Sequence, residues 1–291
     1  MSTTAIKAVA PKGARRGRRK TAADWIVLAL TVLLAAIVVF PFLLILVNSF
    51  KSPQDYANGG PLQLPTTLYV DGLVNFWNRV DFPLKLWNSV FISGTVAILA
   101  VVVSVLNAFA IGVGRVRGRV PLILVFLLAN MLPQEVLLYP LYTIFRSVGL
   151  YDNVWSVIVT FVVIQSAFGT YLLASVFGTF PKEVLEAAAL DGAGRWRTLW
   201  RVIVPISRPT LGVLMVFFFI WTWNEFLIPL TFLISNDNQT VPLAITMLQG
   251  DRLMDVTTTS ASALLGLIPT LVFFLIFQRT LSRGITAGAV K

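Results

Sequence analysis

The stretch EVLEAAALDGAGRWRTLWRVIVPISRP, residues 183–209, lies between two long apolar segments of the sequence. It contains four arginines and three acidic residues, whereas only 12% of the whole chain is charged. Connections between neighbouring helices are usually much shorter than this. A polar, helix-prone segment of this length between apolar segments indicates a membrane-embedded chain with one elaborate element outside the bilayer.

The rest of the chain has the composition of an integral membrane protein. It has 291 residues, 57% of them hydrophobic, and a mean hydropathy of +0.82. Apolar runs of about 18 or more residues can cross a bilayer as helices, and continuous rather than alternating hydrophobicity favours helices over a barrel. We therefore predict an all-α integral membrane fold with six transmembrane helices, at residues 25–50, 90–114, 120–145, 153–180, 209–234 and 257–278.

Lysine and arginine residues are distributed unevenly around these predicted spans. Eighteen of the 23 fall in the N-terminal tail, the 115–119 turn, the 181–209 segment and the C-terminal end, and the other five are Lys51, Arg79, Lys85, Arg146 and Arg252. Cytoplasmic segments of membrane proteins are enriched in positive charge. We therefore expect both termini and residues 181–209 to be cytoplasmic. The net charge of +10 then reflects topology, and we expect no binding of nucleic acid.

The composition also limits the chemistry that the chain can perform. Because there is no cysteine and no histidine, disulfides, thiolate or imidazole catalysis and the commonest zinc sites are excluded. The first apolar run is too long for a signal peptide and is kept as a span.

In the outward segment, residues 51–89, Val74, Phe76 and Trp77 predict a short amphipathic piece in the outer headgroup region. A second polar outward segment, residues 235–255, is long enough to reach a partner.

Residues 181–209 carry signals for two helices separated by a glycine turn. Pro181 suits the first turn of a helix, and Glu183 and Glu186 follow where the helix dipole favours negative charge. Gly192 and Gly194 can adopt the positive φ that is common at helix ends. We therefore predict a first helix that ends at Gly192 and a second that begins after Gly194.

The second helix of this segment is predicted to be amphipathic. Four residues recur at helical spacing and form one apolar stripe, Trp196, Leu199, Trp200 and Ile203. Pro205 and Pro209 are expected to end this unit and to begin the next span. An ordinary loop with a surface helix would have a similar composition. The length and the division of the segment favour a unit that a partner binds.

The segment resembles the EAA motif of the membrane subunits of bacterial ATP-binding-cassette importers. The residues at the motif's spacing are Glu186, Ala187, Ala188, Gly192 and Pro205. Valines at positions 202 and 204 replace the usual isoleucine and leucine. Four other stretches, WNSVFIS, PLYTIF, WNEFLIPL and the terminal GITAGAVK, resemble the carbohydrate-importing permeases, particularly the smaller permease subunit of maltose-type systems.

This resemblance implies a type I importer permease fold with a cytoplasmic coupling helix. The implied parts are a basic cytoplasmic tail (1–24), a first transmembrane helix (25–50), an external loop (51–89), a five-helix permease core (90–280, with the EAA loop at 181–209) and a cytoplasmic C-terminal tail (281–291). The residues implied in coupling to the ATPase are Glu183, Glu186, Ala187, Ala188, Asp191, Gly192, Ala193 and Pro205.

The resemblance also implies the partners and the location of the chain. They are a second permease subunit, two ATPase subunits or an ATPase homodimer, an extracytoplasmic solute-binding protein, the lipid bilayer and a sugar substrate. The chain has no G-x-x-x-x-G-K phosphate loop. We therefore expect no enzyme activity and no cofactor in this chain, with ATP and Mg²⁺ bound by the ATPase, in a prokaryotic cytoplasmic membrane.

Two acidic residues lie inside predicted spans, where charge is costly and often functional. Counted along straight helices, Glu135 and Glu225 both lie roughly 22 to 24 Å from the cytoplasmic boundary. We predict that the residues bordering the translocation pathway are Gln134, Glu135, Trp223, Asn224 and Glu225. Alternatively, the two glutamates pair with polar neighbours or reach headgroup water. In maltose-type systems the sugar contacts come mainly from the other permease subunit.

Other functions remain open at this point. A polyol or glycerol phosphate would be carried by permeases with the same cytoplasmic loop. A stand-alone ion-coupled carrier or channel is a further alternative, and an integral-membrane enzyme is disfavoured because no paired-carboxylate or metal-binding pattern lies outside the spans.

Overall fold

The structure, a computed structural model, describes residues 21–114, 116–249 and 256–289. The regular elements of this described part are all helices, which confirms the predicted all-α class. In chain order they are α1 (Ala22–Asn48), α2 (Pro53–Gly59), α3 (Asp71–Arg79), α4 (Phe82–Gly112), α5 (Arg119–Ala129), α6 (Gln134–Ser147), α7 (Val154–Gly178), α8 (Lys182–Leu190), α9 (Arg195–Thr198), α10 (Val204–Trp223), α11 (Leu227–Phe232), α12 (Val241–Gln249) and α13 (Val256–Ala289).

The chain divides into two compact units between Leu44 and Ile45. Within its described residues the first unit consists of α1 up to Leu44, and residues 21–43 expose their side chains. The second unit contains all the later helices. The basic tail, residues 1–24, and the C-terminal tail, residues 281–291, lie wholly or partly outside the described residues.

Five helices of the described residues are long and apolar enough to cross a membrane. They are Ala22–Asn48, Phe82–Gly112, Val154–Gly178, Arg195–Trp223 and Val256–Arg279. A sixth crossing exists if the pair α5 and α6 counts as one span, and these two helices are bent by 92°. The predicted number of six is therefore reached only with one broken span.

The continuous helix predicted for residues 120–145 is wrong. Helix α5 ends at Ala129, and α6 begins only after Pro133, whose backbone is extended at φ −60° and ψ 134°. Proline has no N–H to donate and disfavours helical geometry in the residue before it. The chain therefore changes direction where the sequence suggested only a local weakness.

Other helix boundaries also differ from those predicted. Helix α4 begins at Phe82, with Pro83 in its first turn, so that the last eight residues of the 51–89 segment are helical. The predicted amphipathic piece is α3. Its Phe76, however, is buried in a cluster with Phe82 and Val241 instead of facing headgroups, while Val74 and Trp77 are exposed.

Helices α4, α7 and α10 form the main core of the second unit. Ala100 and Ala108 of α4, Leu173 and Phe177 of α7, and Phe218 of α10 are among its buried side chains. Small residues allow helices to approach closely in membranes. The resulting short distance between α4 and α7 determines what can replace the glycine at position 169.

We predict that Gly169→Ala destabilises the protein. A Cβ at this position would lie 2.2 Å from Ser104 Oγ, 2.8 Å from Ser104 Cβ and 3.0 Å from Phe218 Cζ. Overpacking of this kind costs about 1–3 kcal/mol, and we expect a lower midpoint of thermal unfolding in detergent. Adding Ser104→Gly should restore part of the loss, because it removes both contacts with Ser104. The matched control is Gly94→Ala in α4, where a Cβ would meet nothing within 4 Å. Equal midpoints for the two alanine variants would contradict the prediction.

Candidate functional site

The first helix of the 181–209 segment forms as its local signals predict. Pro181 lies before α8 in extended geometry, at φ −56° and ψ 130°. At the other end Gly192 adopts φ +71°, a left-handed conformation that favours glycine. The N–H groups of Gly192 and Ala193 donate to the carbonyls of Ala189 and Ala188, at 3.0 and 2.9 Å. The turn after α8 is therefore defined by its own hydrogen bonds.

One face of α8 is exposed and the other packs inward. Ala188 is buried, and Leu185 packs against the main core. The outward face, defined here as the α8 stripe, consists of residues at helical spacing, Glu183, Glu186, Ala187 and Leu190. Leu190 is 90% exposed. Sequence reasoning missed this leucine, although it lies seven residues after Glu183 and therefore on the same face.

The second helix departs from the predicted stripe. Leu199 and Ile203 are buried in the main core, whereas Trp196 and Trp200 are exposed and their rings meet edge to face at 5.7 Å. The reason is the π-helical stretch Leu199–Ile203, because a wider turn changes which residues share a face.

The helix also continues where proline was expected to end it. Arg195–Trp223 is one continuous span, so the prediction that Pro205 and Pro209 end the unit is wrong. The N–H of Val204 donates to Leu199 O, five residues back, as in a π-helix. The wider turn accommodates Pro205, which has no N–H of its own to donate.

The predicted span at residues 209–234 breaks at the acidic candidate. Helix α10 ends at Trp223, and α11 begins at Leu227. Asn224 Nδ2 donates to Ile220 O at 2.8 Å, and Glu225 Oε1 accepts from the Leu227 N–H at 3.3 Å. Glu225 thus pairs an N–H group at the start of α11, and Asn224 adds a second hydrogen bond to Ile220 O, which also accepts from the Asn224 backbone N–H at 3.2 Å.

A cleft of about 330 Å³ opens beside this break. Its lining residues are Phe217, Ile220, Trp221, Asn224 and Glu225. The Glu135 carboxylate is near enough for its charge to act on Glu225. Because α5 and α6 bend by 92°, the count along a straight helix that gave Glu135 its depth is wrong. The two glutamates nevertheless lie within range of an electrostatic interaction.

The remaining pathway candidates are placed differently. Gln134 is the first residue of α6 and half-buried. Trp223 is only 6% exposed and stacks on Phe219 at 5.9 Å. It lines a separate apolar cavity of about 580 Å³ between α4, α10 and α13. Trp221 rather than Trp223 is therefore the tryptophan of the Glu225 cleft.

A buried glutamine next to this site was missed by sequence reasoning. Gln165 of α7 is fully buried, and its Nε2 donates to Thr222 Oγ1 of α10 at 2.8 Å. Its Oε1 has no hydrogen-bond partner among the described residues. The hydrogen bond ties the last turn of α10, directly before the break, to α7. The sequence feature that could have identified Gln165 is a side-chain amide within the apolar run of α7.

Comparison with known proteins identifies the family. Residues 111–286 match the binding-protein-dependent transport system inner membrane components. The chain belongs to this family. It is 32% identical to the trehalose transport system permease protein SugB of Mycobacterium tuberculosis, over 96% of this chain and 99% of the relative. It is 31% identical to the trehalose/maltose transport system permease protein MalG of Thermococcus litoralis, over 89% and 94%.

Two further comparisons agree with this assignment. The lactose transport system permease protein LacG of Rhizobium radiobacter is 30% identical, over 89% of this chain and 93% of the relative. A solved bacterial ABC transporter involved in the import of the polysaccharide alginate has a chain with a TM-score of 0.76. At 18% identity, covering 90% of this chain and 99% of that one, it supports the fold. The predicted type I importer permease fold is confirmed.

Membership of this family bears on both the α8 stripe and the cleft that Glu225 lines after α10. Both lie within the matched region, and the chain is a multi-pass transport component of a binding-protein-dependent system. An external binding protein and an ATPase partner are therefore implied.

We predict that Thr222→Val destabilises this transport component and that Gln165→Leu relieves the effect. The single change leaves both polar ends of a fully buried amide unpaired, which costs about 1–3 kcal/mol. The double variant removes the amide and should regain most of that loss. Thermal unfolding of the four proteins of the cycle measures the coupling, and additive effects would show that the two side chains do not interact.

Proposed function

We propose that this chain is a permease subunit of an ATP-driven importer that receives a sugar or oligosaccharide from its solute-binding protein. The observation that carries this proposal is the set of similar permeases, which are named for trehalose, trehalose/maltose and lactose and match over nearly their whole lengths. A polyol or glycerol phosphate is the alternative solute, and a stand-alone ion-coupled carrier is the alternative machine.

The proposed complex contains a second permease subunit and two ATPase subunits or an ATPase homodimer. ATP and Mg²⁺ are bound there, which agrees with the missing phosphate loop in this chain. In this proposal the complex lies in a prokaryotic cytoplasmic membrane with both termini of the chain in the cytoplasm. The excess of Lys and Arg on that side supports this orientation.

The α8 stripe is the proposed docking surface for the ATPase. It combines two carboxylates with a leucine that is 90% exposed. Asp191, Gly192 and Ala193 form the turn that holds its position. Closure of the ATPase pair on ATP would move α8, and the buried Leu199 and Ile203 would pass the movement to α10.

The cleft at the break after α10 is the proposed border of the solute pathway. Asn224, Glu225 and the neighbouring Glu135 offer hydrogen-bond acceptors or donors to sugar hydroxyls, and Trp221 offers an aromatic face. Gln134 lies beside Glu135 at the start of α6. The competing interpretation is that the two glutamates pair with polar neighbours between helices or reach headgroup water.

Reconstitution tests the function directly. The co-purified complex is placed in liposomes with its solute-binding protein, and disaccharides, oligosaccharides, a polyol and glycerol phosphate are compared for stimulation of ATP hydrolysis and for uptake. We expect stimulation by a sugar. Stimulation by a polyol or glycerol phosphate alone would correct the solute, and solute flux with this chain alone would support the stand-alone carrier.

We predict that Glu186→Lys weakens ATPase association at least tenfold, a loss of about 1.4 kcal/mol or more, and abolishes transport. The change reverses one of the two charges on the α8 stripe. Gly192→Pro should abolish transport as well, because proline cannot adopt φ +71°. Membrane insertion should be normal in both variants, as judged by protein level in isolated membranes.

The matched control for the charge change is Asp71→Lys in the exposed first turn of α3. It makes the same charge reversal outside residues 181–209 and should keep association and transport. Normal co-purification and transport in Glu186→Lys and Gly192→Pro would refute the docking role of α8.

We also predict that Glu225→Gln lowers solute uptake about tenfold at constant protein level. The amide keeps an acceptor for the Leu227 N–H but loses the charge that a carboxylate presents to hydroxyl donors. Asp71→Asn serves as the control for loss of an acidic side chain elsewhere. Uptake that is unchanged in Glu225→Gln would remove this residue from the pathway.

A further inference from the structure

The segment between α2 and α3 carries three leucines that are largely exposed. Leu62, Leu64 and Leu68 expose 69, 72 and 79% of their surface. Residues 56–70 include no charged residue. A single exposed apolar side chain needs no explanation, but a group of them in a charge-free stretch indicates a surface that contacts something apolar. Residues 61–69 are called the leucine loop below.

Hydrogen bonds hold both ends of the leucine loop beside the end of α1. The ammonium group of the buried Lys51 donates to Asn48 Oδ1 and to Pro61 O, at 2.8 and 3.3 Å. At the other end of the loop, the Tyr69 N–H donates to Phe50 O at 3.0 Å. Asn48 is the last residue of α1. The loop therefore begins and ends where a helix that is long enough to cross the membrane ends.

Polar side chains of the loop turn back towards α2. Thr66 Oγ1 donates to Asp55 Oδ1 at 2.8 Å, and the Gln63 side chain lies against Gly59. The Asp55 N–H in turn donates to Ser52 Oγ at 3.1 Å, at the start of α2. The three leucines are left exposed on a backbone that is already held in place. Such a surface loses less conformational entropy when it meets a partner.

The length of α1 places the loop at the membrane surface. The 27 residues of α1 extend about 40 Å along the axis, more than the roughly 30 Å of a hydrocarbon core and close to the 40–45 Å of a bilayer with its headgroups. Residues 48–51 therefore lie near the headgroups. Trp77 of α3 is also exposed, and tryptophan typically marks this boundary. The leucine loop is thus held where apolar side chains can reach the acyl chains.

The chemistry of the loop favours lipid over a protein as its partner. Protein interfaces surround an apolar centre with polar groups that form hydrogen bonds. The leucine loop has no charged residue, and Gln63 and Thr66 are already in contact with α2. An uncharged apolar surface beside the end of a span fits the boundary between headgroups and acyl chains.

We propose that the leucine loop is a membrane anchor that places its three leucines at the boundary between headgroups and acyl chains, and that Lys51 is the positioning residue that holds the loop at this depth. Helix α3 follows the loop and packs on α13, where Gly72 lies next to Ala261. The anchor thereby also fixes the segment that covers this end of α13. The proposal goes beyond the proposed function and requires only that the chain is embedded in a membrane.

Site-directed spin labelling tests the anchor, because this chain has no cysteine of its own. A nitroxide is attached to a single introduced cysteine in the complete complex, in vesicles of phosphatidylethanolamine and phosphatidylglycerol. The wild-type complex treated in the same way gives the background. Collisions of the nitroxide with oxygen report lipid, and collisions with a water-soluble nickel chelate report water. The labelled variants are Leu62→Cys, Leu64→Cys and Leu68→Cys, with Gln54→Cys and Asn58→Cys on the exposed surface of α2 as controls.

We expect the ratio of oxygen collisions to nickel collisions to be at least about fivefold higher at the three leucine positions than at the two controls. A ratio equal to that of the controls would place the loop in water. Few collisions with either reagent would place the loop beneath another protein subunit. Either of these two results would overturn the anchor.

The role of Lys51 is tested on the Leu64→Cys label. Lys51→Met keeps a side chain of similar length but removes the donor to Gly60 O and Pro61 O, and we expect the collision ratio to fall at least about twofold. If this change lowers the yield of assembled complex, Thr66→Val removes the hydrogen bond to Asp55 and provides the same test. An unchanged ratio in the variants that assemble would show that these hydrogen bonds do not set the depth of the loop.

The outcome is independent of the proposed function, because the labelling experiment needs neither a solute nor ATP hydrolysis. Leucines in lipid within a complex that carries a different solute would correct the proposed function and leave the anchor in place. Leucines in water within a complex that imports a sugar would contradict the anchor alone.

Discussion

Backbone polar groups cannot remain unpaired in hydrocarbon, and this constraint explains how the helices of this permease break. Both breaks carry an asparagine with the same contact. Asn130 Nδ2 donates to Phe126 O at 2.7 Å, and Asn224 Nδ2 donates to Ile220 O at 2.8 Å. In each case the side chain pairs a carbonyl four residues back in the helix that is ending. Each of these carbonyls also accepts from the backbone N–H of the same asparagine, at 3.3 and 3.2 Å, so the side chain adds a second hydrogen bond where the helix ends.

The same contacts fix the candidate site before any solute arrives. Glu225 accepts from the first turn of α11, and Thr222 is tied to Gln165 of α7. A carboxylate and an amide that already hold the backbone have little freedom to rearrange. The structural and functional interpretations of Asn224 and Glu225 are consequently compatible, because the hydrogen bonds that satisfy the break also orient its polar groups.

Signals from neighbouring residues in the sequence were sufficient to predict α8, because Pro181 and Gly192 mark its two ends and each acts within one turn of the chain. They were insufficient where the rotation of a helix decides the outcome. Trp221 and Trp223 are two residues apart, about 200° around a helix, and only packing against Phe219 determines which faces the cleft. Likewise, hydropathy placed a span at residues 120–145, but the direction taken after Pro133 depends on contacts distant in sequence.

The orientation predicted from the Lys and Arg count stays a prediction, but the structure changes how two of the counted residues are interpreted. Lys51 and Lys85, two of the five basic residues on the sparse side, are buried and donate to backbone carbonyls of Gly60 and Asn236. Their role is to pair backbone groups of loops, so they contribute little to the charge of the surface. Of the five basic residues outside the four basic segments, at least these two therefore add little charge to the surface.

The helix pair α4 and α7 joins the core beneath α8 to the segment of residues 234–241. At one end of α4 and α7, Ile111 and Phe177 pack in the core that contains Leu199 and Ile203 and contacts Leu185 of α8. At the other end, Asp152 before α7 and the first turns of α4 hold residues 234–241. Close packing along α4 and α7, including the contact of Gly169 with Ser104, leaves little room for one helix to slide past the other. In the proposed mechanism, movement at α8 would therefore be transmitted by this closely packed helix pair.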